Sequence, residues 1–179
     1  MYISAKAALA LTPRAVQQRS ANGKVMILLD QIENPTARSK CRSIYLRVKL
    51  NNDASSHLYH SSQIRIYGKA GDSKQYLMRP DSRLWVHCRC PYFLYYCEQA
   101  LARIKASSIY DCRPELRGKG PTGILRNPNL VPYLCKHLYA AVLALSKVES
   151  GQTSYKEFVN TRNPYDGNYD EKMPPSYTR

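Results

Sequence analysis

Acidic residues are scarce in this sequence: 13 Asp and Glu stand against 27 Lys and Arg, a net charge of +14. That imbalance favours an anionic partner: nucleic acid, an anionic membrane surface, or the acidic face of another protein. Long apolar runs are missing too. Nothing approaches the roughly 18 apolar residues of a membrane span. The stretch from Ile3 to Leu11 is interrupted by Lys6 and is too short for a signal peptide. No membrane partner is expected. Catalytic signatures are also absent: there is no phosphate loop, no HExxH, no nucleophile elbow and no pair of carboxylates placed for acid–base work. A non-enzymatic protein is predicted. Phe occurs only twice, so the aromatic bulk comes from 15 Tyr, whose hydroxyls need partners when buried.

At 179 residues the chain suits one domain. We read residues 1–150 as a single α+β domain and 151–179 as an extended arm carrying Tyr155, Tyr165, Pro164, Pro174, Pro175 and Tyr177. A short helix is expected over 4–19. Val25 to Leu29 is a compact apolar run, read as a buried strand. In the next strand Ile44, Leu46, Val48 and Leu50 alternate with Tyr45, Arg47 and Lys49, giving one buried and one basic face. Gln63–Tyr67, Tyr76–Met78 and Leu84–Val86 complete a predicted antiparallel meander of about five strands. The period then changes. Phe93, Cys97, Ala100, Leu101 and Ile104 recur at helical spacing over 92–105. Residues 111–130 read as a loop, and a second helix is expected from about Pro132 to Val148, with Gly151 at its exit.

The six cysteines supply the chemistry. Cys88-Arg89-Cys90 ends a predicted strand, and Cys135-Lys136-His137 begins a predicted helix. Thiolate and imidazole are the donors zinc prefers, and structural zinc sites are closed tetrahedra. Clustered cysteines in a reducing compartment read as metal ligands or core residues. Cys112 is a weaker candidate and Cys41 a bystander; His87 should face away, and His57 and His60 are read as solvated in a turn.

The fourth ligand is open at this level. Residues i and i+2 of a helix point to opposite sides, so Cys135 and His137 share an ion only if regular helix begins near or after Cys135. If it begins at Pro132, Cys97 becomes the replacement. The set Cys88, Cys90, Cys97 and Cys135 would then suit zinc or an iron–sulfur cluster.

With Trp85 to Phe93 around the first pair and Leu138 to Val142 after the second, residues 84–145 resemble the SWIM-type zinc finger. That resemblance implies zinc on Cys88, Cys90, Cys135 and His137, and a DNA-binding or protein-interaction role. The stretch, with Asn127-Pro128-Asn129 before the second pair, also resembles virion structural proteins of tailed bacteriophages. It implies a structural or adaptor subunit located in a virion (tail, baseplate or neck) assembled in the host cytoplasm. Two helices stapled to the sheet by a metal centre are the expected architecture. The basic surface and the arm would then meet other structural proteins of the assembly. The alternative is a cytoplasmic nucleic-acid-binding module. Its basic and aromatic residues interleave at Arg42, Tyr45, Arg47 and Lys49, at Arg65, Tyr67 and Lys69, and in the loop at Arg113, Arg117, Lys119 and Arg126.

Overall fold

The structure is a computed structural model and describes residues 2–21, 23–36, 39–50, 59–67, 77–107 and 127–152. A five-stranded antiparallel sheet lies at its centre, in the spatial order β1-β5-β4-β3-β2. The strands are β1 (Ile3–Ser4), β2 (Lys24–Thr36), β3 (Ser39–Lys49), β4 (His60–Tyr67) and β5 (Arg83–Cys88). β2 to β5 form a meander, and the short β1 returns to the free side of β5. The fifth strand is therefore β1, and Leu77 and Met78 lie in no strand. The neighbours of that pair are committed elsewhere: the Pro80 and Ser82 carbonyls accept from the Lys6 and Ala5 amides at the start of the first helix. Tyr76 lies outside the described residues.

One face of the sheet is apolar because the alternation is strict. Ile44, Leu46, Val48, Ile64, Ile66, Leu84 and Val86 are all 1% exposed or less. In β2, Val25 and Ile27 lie opposite Val48 and Leu46. A bulge at Leu28 then shifts the register, and Asp30 arrives opposite Ile44. Asp30 is offset there by Arg42, whose guanidinium donates to both Asp30 oxygens (2.8 and 2.6 Å) and to Glu149 Oε1 (2.7 Å). Both carboxylates hold the Arg42 pKa above its ordinary value, although burial opposes them.

Helices cover this face. The predicted 4–19 helix is two: α1 (Ala5–Leu11), capped by the Ser4 hydroxyl on the Ala7 amide (3.2 Å), and α2 (Arg14–Arg19). Thr12-Pro13 separates them, because Pro13 has no amide to continue the ladder. The predicted 92–105 helix is a π-helical turn, Phe93–Cys97, followed by α3 (Glu98–Arg103). α3 stops where Lys105 takes a left-handed φ of 59°, with the Ala106 amide on the Leu101 carbonyl.

The last helix, α4 (Lys136–Glu149), starts four residues later than the apolar period suggests. Two anchors hold the chain before it extended. The Asn127 side chain donates to the Tyr96 and Val131 carbonyls and accepts the Val131 amide, and the Leu134 amide donates to Thr12 Oγ1. Gly151, at φ 75°, ends the helix as expected. The predicted arm, from residue 153 on, and most of the 111–130 loop lie outside the described residues.

Candidate metal centre

β5 ends on Cys88, which shares the core face with its neighbour across the ladder, Ser62. The chain then turns: the Cys90 amide donates to Cys88 Sγ (3.5 Å) and the Phe93 amide to Cys90 Sγ (3.3 Å). Amides aimed at sulfur favour the thiolate form. Cys135 is the N-cap of α4, in extended conformation (φ −71°, ψ 165°), so His137 is only the second residue of the regular helix. This meets the condition for both side chains to reach one point.

The four donor atoms of Cys88, Cys90, Cys135 and His137 all lie within 4.8 Å of one another. All four residues are buried, at 2% exposure or less. Cys88 Sγ lies 4.0 Å from His137 Nδ1. A tetrahedral zinc shell, with Zn–S near 2.3 Å and Zn–N near 2.0 Å, sets neighbouring donors about 3.5–3.8 Å apart. The observed spread is a slightly expanded version of that shell, so this donor set could hold a metal ion.

The electrostatics fit a cation. Burial raises the Cys88 pKa, but hydrogen bonds from Cys135, Cys90 and His137 outweigh it and bring the thiol well below its ordinary range. Burial and the bonds to Cys88 and Cys90 push Cys135 well up. At Cys90 the bond with Cys135 acts downward, but the bond to Cys88, burial and the Cys88 charge together win, and the thiol is raised. One thiolate is favoured in this pocket and two more are resisted. A divalent cation is what would release the other two protons.

The other sequence candidates fall elsewhere. Cys97 is fully buried beside the cluster but is not one of the four. Burial and the Cys88 charge hold its thiol protonated. Cys41 sits at the far end of β3, 3.7 Å from Ser43 Oγ; Cys112 and His57 lie outside the described residues. His87 packs edge-on to Phe93 (5.4 Å between ring centres). Burial, which outweighs the nearby Cys88, and the Arg89 charge lower its pKa to about 4.

His60 corrects the sequence reading. It opens β4, half-buried, with its ring 4.3 Å from that of His137. The signal was present: extending the Gln63–Tyr67 alternation back by two pairs puts Ser62 and His60 on the core face. Ser62 Oγ is buried and makes no hydrogen bond among the described residues.

No family model, curated protein or solved structure matches this chain. The functional reading therefore rests on the site and its surroundings.

Proposed function

We propose that this chain is a non-enzymatic structural or adaptor subunit of a large assembly, a virion of the tailed-phage kind. In this reading a structural zinc ion on Cys88, Cys90, Cys135 and His137 closes its α+β domain. The buried four-donor set carries the metal-centre part of the reading, and the assembly role rests on the resemblance to virion structural proteins and on the Tyr- and Pro-containing arm. Four protein donors fill a tetrahedral shell and leave no position for water activation. The ion would staple β5 to the start of α4, so its binding energy becomes folding energy. A groove lined by Lys6, Arg79, Tyr139 and Glu149 runs along α4 and includes none of the four ligands.

Zinc is favoured over an iron–sulfur cluster for two reasons. A cluster spreads its thiolates around a body of several iron and sulfide atoms, whereas donors within 4.8 Å of one another suit a single ion. The cluster alternative also needs Cys97, which stands outside the group. Residues 151–179 are proposed as the arm that lies along neighbouring subunits.

Elemental analysis of the purified protein should give one zinc per chain and no visible absorption; a brown protein containing iron would overturn the zinc assignment. Deleting residues 152–179 should abolish co-assembly with neighbouring structural proteins while the zinc content is kept. Unimpaired assembly of the truncated chain would remove the arm from the proposal.

A further inference from the structure

The register gathers charge at one corner of the sheet. On the face turned away from the core, Lys24 of β2 lies opposite Lys49 of β3. Arg47 lies opposite Ser61 of β4, and the Arg89 amide continues the ladder onto the Ser61 carbonyl. Lys49 holds its ammonium over the Tyr59 ring (5.7 Å). Lys24 and Arg89 are exposed, and Arg47 and Lys49 are half-buried.

The acids among the described residues lie elsewhere. Asp30, on the opposite face, and Glu149 hold Arg42, and Glu33 sits toward the other end of β2, paired with Arg65 (3.8 Å). Glu98 is buried beside His87, and Asp81 precedes β5 at the strand end remote from Cys88. Two of the basic positions singled out in the sequence are thus engaged within the fold: Arg42 with its two carboxylates, and Arg65, whose guanidinium also stacks on Trp85 (4.5 Å). Lys24, Lys49 and Arg89 are not so committed.

We infer that this corner, formed by Lys24, Arg47, Lys49 and Arg89 with Tyr59, binds the phosphate backbone of a nucleic acid. Two arguments favour a nucleic acid over an acidic protein. Stable protein interfaces have an apolar centre with large anchors; here the described apolar side chains, the half-buried Met26 and the exposed Leu28 and Leu29 beyond it, lie along the edge strand β2 rather than at the centre of the cations. The dimensions also suit a backbone. Four neighbouring strands at about 4.8 Å spacing make a row roughly 15 Å wide, and one nucleic-acid strand passes a phosphate about every 3.4 Å of axis. Three or four phosphates fit along it. The corner backs onto the metal centre without including any of the four donors, so the ion would stiffen the surface rather than touch the ligand. The inference does not depend on the assembly role, which the tail deletion tests separately.

The test is fluorescence anisotropy of the full chain, purified with its metal, against a labelled DNA duplex and one of its single strands over a salt series. The expected slope of log affinity against log salt is about −3 for the duplex, one contact per phosphate. Lys24→Gln/Lys49→Gln should flatten it by about 2 and weaken binding about tenfold or more at low salt. Arg89→Gln should flatten it by about 1, and Lys24→Gln/Lys49→Gln keeps the test decisive if Arg89→Gln loses its metal. The control Arg103→Gln/Lys147→Gln removes equal charge at exposed sites off this corner and should leave the slope unchanged. An equal effect of that control, absence of DNA binding at low salt, or equally tight binding to labelled polyglutamate would overturn the inference.

Discussion

A buried thiol keeps its proton unless something positive replaces it. In the Cys88–Cys90–Cys135 cluster, hydrogen bonds outweigh burial and favour a thiolate on Cys88, while burial and the bonds and charge of Cys88 raise the Cys135 and Cys90 thiols. Each cysteine therefore has a predictable weight. Cys135→Ser and Cys90→Ser should lose stoichiometric zinc and cost roughly 3 kcal/mol or more, since the ion's binding energy goes with the ligand. Cys97→Ala should keep its zinc and cost only about 1–2 kcal/mol, as a small cavity. Metal content and denaturant melts of the variants decide this; loss of zinc in Cys97→Ala would place that thiol in the shell.

At the scale of elements, termini matter more than interiors. The sequence located α4 by its apolar stripe but not its first turn. The delaying contacts, Asn127 to Tyr96 and Thr12 to Leu134, come from residues distant in sequence. That four-residue difference is what brings Cys135 and His137 to the same point. The first helix was legible as apolar but not as broken, although Thr12-Pro13 stood in plain view. The end of α3 is likewise a matter of backbone conformation. Lys105 occupies the left-handed position that glycine fills at Gly151 after α4. Lys105→Gly should raise stability by about 0.5–1 kcal/mol in urea melts, because glycine takes this conformation without the steric cost of a Cβ. A loss of stability would mean that the Lys105 side chain contributes more than its backbone conformation costs.

For the whole molecule, the sheet was the most legible part. The alternation of β3 placed Ile44, Leu46, Val48 and Leu50 correctly in the core. Strand β1 was hidden because two residues carry no period, and β2 was read short because its bulge at Leu28 breaks the alternation. The donor set was legible as two spaced pairs; His60 was missed because the alternation was followed back only to Gln63 and not on through Ser62. The structure also separates two populations of contacts. The β2–β4 ladder contains none of the four donors, whereas α4 and the π-helical turn meet β5 around them. Chelation of the purified protein should therefore remove amide-exchange protection first from Phe93–Cys97 and the first turns of α4, with Ile44–Val48 and Ile64–Ile66 the last to exchange. Uniform loss of protection would indicate that the sheet too depends on the ion.

The donors are also divided in time. During synthesis Cys88 and Cys90 emerge with the sheet, while Cys135 and His137 arrive only with α4, after residues 91–134. An ion held by the first pair alone has half its shell and is readily lost. If the site holds the proposed ion, completion of the shell would act as a proofreading event: only a chain translated through α4 could lock the ion in place, and a product stopped short of it would lack two of the four donors.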